Sequence, residues 1–402
     1  MARIRQMKIL HVFSYISPNA NGTISLLRHL TPALARRGHE VGIFTSDFEL
    51  NDDYINSFSP VIIYSYPSGL NLKWLYLFFS PAIMSKAKRA VPSFEILHLH
   101  CLRSLQNLVV WHYARKYGIP YVIDAHGSTL RIAQNRGVKW LLQRLYDMLW
   151  GYRLLRGASK VIAETEVGIK EYKDLGVPGE KIVLLEPAFA IEEYSKLPPW
   201  GRFRDKYKIK DRHIVMFFGR INWIKGVDFL TESFSELLQL KEDVILVFVG
   251  PDDGYKSQLE QIISTLNIAD KVLFTGFLSG DDKLSALVDA DVVIQTSRHE
   301  QGAWAPFEAI LCGTPIIVTE HTGAGEDVKE IDAGYLAEFG NKKALAQLIV
   351  RVLEDPAEAR AKAQRAAQYL REHRSLDNMV TDYEKVYLQC IEEIKNVGRG
   401  TK

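Results

Sequence analysis

Two cationic side chains five residues apart share one glycine-bracketed stretch, Phe218-Gly219-Arg220 followed by Lys225-Gly226. Arginine presents a planar fork of donors and lysine a compact point charge, so Arg220 and Lys225 suit the two halves of a diphosphate. Turned toward one leaving diphosphate, they would offset its growing charge, an electrostatic catalysis that needs no metal. Two carboxylates, Glu300 and Glu308, follow eight residues apart. Glu300 lies in the loop after the apolar run Val292 to Gln295, where it suits sugar hydroxyls. Glu308 lies in the first turn of a helix expected from Pro306, where it suits the paired hydroxyls of a ribose. An acid there also complements the helix dipole, so capping is an alternative for Glu308. Between them Gly302 and Ala303 offer backbone N–H groups to a phosphate, and Trp304 closes the stretch. Carboxylates carried on one loop and its helix do not form the opposed pair of a glycoside hydrolase.

The first half of the chain supplies weaker signals. Gly22 and Thr23, in Asn21-Gly22-Thr23, stand between an expected strand and helix, where glycine permits close backbone approach and the helix start suits an anion. The stretch is not GxGxxG, which counts against a dinucleotide site. His98 and His100 are spaced for metal ligation, but the neighbouring sequence offers no third ligand, and no metal is expected. His126, in His126-Gly127-Ser128, follows the run Tyr121 to Asp124, from which its ring would reach a sugar hydroxyl or a backbone carbonyl. A structural role fits His126 equally.

These residues need strands that end close together. Apolar runs at Lys8 to Phe13, Val41 to Thr45, Val61 to Tyr64, Ile96 to Leu99, Tyr121 to Asp124 and Val161 to Ala163 alternate with helical segments. The same alternation returns at His213 to Phe218, Val244 to Val249, Val272 to Thr275, Val292 to Gln295 and Ile316 to Thr319. Such alternation implies parallel sheets covered by helices on both faces. The expected class is therefore α/β, with two Rossmann-like domains facing across a cleft and ligands at the strand carboxyl ends. The domains are read as 1–192 and 203–375. A stiff linker spans 193–202 around Pro198-Pro199-Trp200-Gly201, and a final helix over 376–402 is read as packing back on the first domain.

Composition narrows the function classes. Of 402 residues, 47% are apolar and 24% charged, which fits a folded chain. The formal charge of +2 argues against a nucleic-acid partner. Cys101, Cys312 and Cys390 form no disulfide framework and no CxxC pair, which suits a reducing compartment. No stretch reaches membrane-spanning length, and the N-terminus does not read as a signal peptide. The aromatic segment Leu70 to Met84 reads as a buried helix, or alternatively as a surface touching lipid or a lipid-linked substrate.

Taken in order, these motifs resemble the retaining glycosyltransferases often called family 4, whose fold is the two-Rossmann-domain GT-B fold. The resemblance rests on Asn21-Gly22, Arg37-Gly38-His39-Glu40-Val41, His98-Leu99-His100, His126-Gly127, Gly219-Arg220 with Lys225-Gly226, Glu300 to Glu308, Gly323-Ala324-Gly325-Glu326 and Gly334-Tyr335-Leu336. It implies that Gly22 approaches the donor diphosphate and His126 the transferred sugar. It implies that Arg220 and Lys225 hold the diphosphate, Glu300 the sugar hydroxyls and Glu308 the ribose. The backbone of Gly276-Phe277-Leu278 would contact the base. It further implies a same-face reaction that retains anomeric configuration, with the leaving phosphate helping to deprotonate the acceptor.

Three positions depart from the family pattern. Asn21-Gly22 replaces a Gly-Gly pair, Gln301-Gly302-Ala303 replaces Gly-Phe-Gly, and Phe189-Ala190 replaces Asn-Gly. The expected activity is hexosyl transfer from a nucleoside-diphosphate sugar to a hydroxyl of a glycan or lipid-linked acceptor. UDP-glucose or UDP-N-acetylglucosamine is the preferred donor and GDP-mannose the alternative, and the nucleotide sugar is a substrate, so no cofactor is expected. Phe78-Phe79-Ser80-Pro81 resembles transferases that build exopolysaccharides or lipid-linked oligosaccharides. It supports a cytoplasmic protein with peripheral contact on the inner membrane face. The competing readings are a nucleotide-sugar epimerase and a catalytically silent nucleotide-sugar binding protein.

Overall fold

The computed structural model describes residues 5–17, 22–72, 77–129, 138–302 and 304–400. Asn21 and Ala303, named above, and residues 73–76 of the Leu70 to Met84 segment lie outside them. The chain divides into two compact units, 1–186 together with 376–402, and 187–375.

In the first unit the strands are β1 Lys8–Val12, β2 Glu40–Ser46, β3 Ile62–Tyr66, β4 Leu70–Leu72, β5 Leu77–Phe79, β6 Ile96–His100, β7 Tyr121–Asp124, β8 Lys160–Ala163 and β9 Ile182–Leu184. Seven of them form one sheet in the order β3-β2-β1-β6-β7-β8-β9. Every pairing in it is parallel. Alternate residues bury opposite faces. Leu10, Val12, Leu97, Leu99, Ile123 and Val161 join the core on one side. Ile9, His11, His98, His100 and Val122 are buried on the other. Strand β9 escapes the sequence analysis because Ile182–Leu184 is only three residues long and half-exposed.

Leu70 to Met84 is not one buried helix. Leu70–Leu72 (β4) and Leu77–Phe79 (β5) pair antiparallel, and a helix begins only at Ala82. Pro81 explains the break, because the residue before a proline is driven out of the helical region and toward extended backbone.

The motif Arg37 to Val41 clamps the C-terminal helix Leu376–Gly400. Arg37 donates to Glu384 at 2.9 Å and to Thr381 at 2.8 Å. The Met7 N–H donates to Nδ1 of His39 at 3.2 Å, which leaves Nε2 protonated to donate to Glu384 at 2.9 Å. Glu384 is thus a buried carboxylate that two bases satisfy. Tyr383 and Tyr387 of the same helix reach the sheet, where the Tyr387 hydroxyl lies 2.7 Å from Nδ1 of His98.

The second unit contains β10 His213–Phe218, β11 Val244–Val249, β12 Val272–Gly276, β13 Val292–Gln295, β14 Ile316–Thr319 and β15 Tyr335–Ala337. Their order is β12-β11-β10-β13-β14-β15, again all parallel, the order of doubly wound nucleotide-binding folds. Ile214, Met216, Val247 and Val293 face one core. Val215, Phe217, Phe248 and Ile294 face the other. Burial on both faces is why these strands read as continuous apolar runs.

This unit begins at Pro187, ahead of the expected linker, because residues 193–202 are packed into it. Tyr194 and Phe203 are buried in its core. Asp289 accepts from the backbone N–H groups of Gly201, Phe203 and Arg204 at 2.6, 2.8 and 3.0 Å.

Removing one partner of a buried ion pair strands the other charge, at a cost of several kcal/mol. Glu384→Ala is therefore expected to destabilise the first unit by about 3 kcal/mol. Limited proteolysis should then cut within 376–402 well before the parent chain is cut there.

Candidate active site

Strands β10 and β13 are neighbours at the point where the second sheet's winding reverses, so the loops leaving them are adjacent. The β10 loop carries Arg220 and Lys225 and runs into the helix Val227–Leu238. The β13 loop carries Glu300. Lys225 Nζ forms a half-buried ion pair with Oε2 of Glu300. The same oxygen accepts from Gln295 Nε2 at 2.9 Å and Ser297 Oγ at 3.1 Å. Three donors on one oxygen orient this carboxylate before any ligand arrives.

The two loops are joined along their length. Arg298 grips Asp228 in a fork at 2.8 and 2.7 Å, donates to the Trp223 carbonyl at 2.6 Å, and lies 4.3 Å from the Trp223 ring centroid. Burial works to raise Asp228, but the hydrogen bonds and charge of Arg298 prevail and hold it below the usual carboxylate range. Thr296 Oγ1 donates to the Gly226 carbonyl at 2.9 Å, and the Arg298 N–H donates to the Ile224 carbonyl at 2.8 Å. Gly226 has φ +63°, and a Cβ there would stand 1.8 Å from the Thr296 carbonyl oxygen. Only glycine permits that approach. Beyond the site, the Gly323 N–H at the start of helix Gly323–Glu330 donates to the Glu300 carbonyl at 2.8 Å.

Arg220 is more exposed and pairs with Asp253, which also accepts from Asn222 Nδ2 at 2.9 Å. Glu308 stands apart from the Lys225–Glu300 pair and faces Lys283, whose Nζ lies 3.1 Å from its Oε2. Burial raises the Glu308 carboxyl, with Lys283 opposing.

In the first unit His126 has φ +46°, an uncommon conformation for a residue with a Cβ. Its ring is buried and both nitrogens have partners. Nδ1 lies 2.9 Å from Glu164 and 3.2 Å from Asp124, and Nε2 lies 3.0 Å from His100 Nδ1. His100 Nε2 then meets His11 Nδ1 at 3.0 Å, which closes a row of three imidazoles ending at a carboxylate. Burial alone would lower His126, but the charge of Asp124 and the bond and charge of Glu164 outweigh it and hold the imidazole above its usual range. His11, aligned with His98 across β1 and β6, also supplies the third imidazole that the neighbouring sequence of His98 and His100 lacks. Ligand-type atoms of His11, His98 and His100 lie within 4.8 Å of one another. Both nitrogens of His100 are already bonded within the row, so a cation there would have to displace one of those bonds.

Two family descriptions match the chain in tandem: Glycosyltransferase Family 4 over residues 20–193 and Glycosyl transferases group 1 over residues 201–370. The chain belongs to the GT-B glycosyltransferases. Among curated relatives, the 2-deoxystreptamine glucosyltransferase of Streptomyces kanamyceticus is 24% identical over 79% of this chain and 84% of its own length. The N-acetyl-alpha-D-glucosaminyl L-malate synthase of Bacillus anthracis is 25% identical over 94% of this chain and 97% of its own. Among solved structures, Anabaena HepE in complex with UDP and glucose superposes with a TM-score of 0.78 at 20% identity, covering 96% of this chain and all of that one. This chain is thus a glycosyltransferase.

In the glycosyltransferase, the remaining expected site residues stand as follows. Gly22 opens the helix Gly22–Arg36, and Thr23 is half-buried in its first turn. Gly276 ends β12 with φ +74°, Phe277 is exposed, and Leu278 is turned into the core. Only the backbone of Leu278 is therefore open to a base. Gly302 is half-buried, and Trp304 packs edge-on against Phe189 at 5.3 Å between ring centroids. Sequence reasoning missed Gln295, Ser297, Asp228 and Arg298, whose roles depend on which loops become neighbours. It also missed Arg103, which grips Asp147 at 2.9 and 2.7 Å near the His126 loop.

Two outcomes are expected. Gly226→Ala should destabilise the second unit by about 3 kcal/mol and abolish transfer, through overpacking as well as left-handed strain. Gly340→Ala meets nothing within 4 Å despite φ +94° and should cost only about 1 kcal/mol by chemical denaturation. The second outcome is a pH dependence. Burial pushes His11 down to about 3, so below the ordinary histidine value of 6.5 the unfolded chain binds a proton there that the native chain refuses. Stability from His11 is present above 6.5 and lost as pH falls. Burial also lowers His98 and His100, while Asp124, raised by burial, acts in the opposite sense. His11→Gln should flatten the stability–pH slope between pH 4 and 6 by up to about 1.4 kcal/mol per pH unit, read from urea denaturation.

Proposed function

We propose that this glycosyltransferase takes its hexosyl group from a UDP-sugar, UDP-glucose or UDP-N-acetylglucosamine, and passes it with retention of configuration to a hydroxyl of a glycan or lipid-linked acceptor. The observation that carries the reading is the Lys225–Glu300 pair at the strand exits β10 and β13. In a donor complex Lys225 turns to the diphosphate and Glu300, already oriented by Gln295 and Ser297, accepts the sugar hydroxyls. Arg220 is held only by a surface pair with Asp253 and joins Lys225 on the phosphate oxygens. Together they stabilise the charge that builds on the leaving diphosphate in a water-poor setting, where such stabilisation is strongest. The leaving phosphate takes the acceptor proton on the same face of the sugar.

Glu308 is assigned the ribose hydroxyls, in exchange for its pairing with Lys283. The backbones of Gly276, Phe277 and Leu278 are assigned the base, and those of Gly302 and Ala303 a phosphate, with Trp304 bordering them. Gly22 and Thr23 are assigned the diphosphate from the first unit. His126 is assigned the sugar's primary hydroxyl, which its ring reaches by giving up its bond to His100 or Glu164. The UDP preference is supported by the UDP and glucose bound to HepE. A cytoplasmic chain with peripheral membrane contact fits three free cysteines and, among the described residues, no helix long and apolar enough to cross a membrane.

The test is product formation from UDP-glucose, UDP-N-acetylglucosamine and GDP-mannose with mixed acceptors, and anomeric configuration by NMR. Lys225→Ala and Glu300→Gln should each lower kcat/KM by about 100-fold or more, as for removal of an electrostatic group aimed at the transition state. Unchanged turnover in both variants would sink the site. Sugar interconversion without an acceptor would mark an epimerase.

A further inference from the structure

From Val138 to Gly157 the first unit runs as one helical stretch, Val138–Tyr146, a π-type turn Asp147–Gly151, and Tyr152–Gly157. Its inner side is firmly fixed. Asp147 and Leu154 are buried, Arg103 forks onto Asp147, and the Tyr146 hydroxyl donates to the Leu102 carbonyl at 3.0 Å. Its outer side is apolar. Val138, Leu141, Leu142, Leu145, Met148, Leu149 and Trp150 are each 39% to 68% exposed. The described residues include fourteen large apolar side chains that exposed, and this one stretch holds seven of them. The spacing of 138, 141, 142, 145 and 149 is that of one helix face, so the exposure is a continuous stripe.

The border of the stripe carries one sign of charge. Arg144, Arg153 and Arg156 are exposed on the same stretch, and Arg115 and Lys116 on the helix Leu105–Tyr117. An open pocket of about 540 Å³ lies beside Trp150, lined by Trp111, Arg115, Lys116 and His112. A second of about 460 Å³ shares Trp111 and Arg115 and adds Tyr152, Arg153 and Arg156. Neither pocket has a carboxylate in its lining. Across 138–157 and 105–117 the sole acid is Asp147, which Arg103 neutralises in the interior.

We propose that this face is a docking surface for an anionic lipid bilayer. The apolar stripe lies in the acyl boundary, and Trp111, Trp150 and Tyr152 sit at headgroup level. The arginine-lined pockets take the phosphate of anionic headgroups. An apolar stripe, an aromatic border and an unopposed basic rim are together the requirements of a helix lying in the membrane plane. The bilayer is favoured over a protein partner because the cations are spread along the whole rim and meet no acid, which suits a uniform negative surface. This segment is distinct from Leu70 to Met84. The inference rests on its own residues and supplies the lipid-linked acceptor reading with a place where such an acceptor resides.

The full-length chain is tested by co-sedimentation with vesicles of pure phosphatidylcholine and of phosphatidylcholine with 30% phosphatidylglycerol. Binding to the anionic vesicles should exceed binding to the neutral ones at least tenfold and fall as salt rises. The triple variant Leu141→Glu, Leu145→Glu, Met148→Glu should lose at least tenfold in binding. Arg115→Gln with Arg153→Gln and Arg156→Gln should lose the preference for anionic lipid. All these side chains are exposed, so the far-UV circular dichroism and UDP affinity of both variants should match the parent. Equal binding to both vesicle types, or binding that the triple variant retains, overturns the proposal. So does a lipid-free dimer that the triple variant abolishes, since the stripe would then be a contact between copies. UDP affinity is read separately, so failure here leaves the donor site untouched, and failure of the donor site leaves this test intact.

Discussion

Lys225 and Glu300 are 75 residues apart in the chain and meet because β10 and β13 are hydrogen-bonded neighbours. That adjacency arises where the sheet changes its direction of winding, and the candidate donor site depends on it. A parallel sheet sends all its strand exits to one edge, and the switch point leaves two of those exits without an intervening helix. The opposite charges of the pair are kept half-buried by the loops that surround them. Arg298, Asp228 and Thr296 keep the loops in register, and the close approach at Gly226 requires that no side chain stand there. The pair and its frame thus form one unit, in which a fault at Gly226 is felt at Glu300.

The first unit uses the same sheet geometry for a different arrangement. Alternation along β1 and β6 puts His11, His98 and His100 on one face, under the tyrosines of the C-terminal helix. Burial lowers the pKa of all three of these imidazoles, whereas at His126, beyond His100 at the strand exit, Asp124 and Glu164 raise it. Arg37 and His39 hold the C-terminal helix in place through Glu384, so the residues that close this core come from both ends of the unit's sequence.

The periodicity of apolar runs was enough to place most strands, because strands buried on both faces must be apolar throughout. It failed where that pressure is weak. Strand β9 is half-exposed and short, β15 has three residues, and the antiparallel pair β4–β5 is too short for its alternation to stand out against a helix. The unit boundary was misplaced for a related reason. Pro198 and Pro199 mark a stiff connection, but whether a stiff connection lies between units or inside one depends on what Asp289 and the surrounding core hold.

By itself the sequence determined the class of fold, the two successive α/β units and the residue types at the strand exits, because these follow from burial pattern and turn chemistry over short windows. Only the tertiary structure decided which exits are adjacent. It paired Lys225 with Glu300 and Glu308 with Lys283, gave both nitrogens of His126 to partners inside the unit, and assigned the Arg37–His39 motif to the last helix. It also decided that the helical face from Val138 to Trp150 is left uncovered. The physical reason is common to all of these. Whether a polar or apolar side chain is satisfied depends on neighbours tens or hundreds of residues away, and no local pattern encodes them.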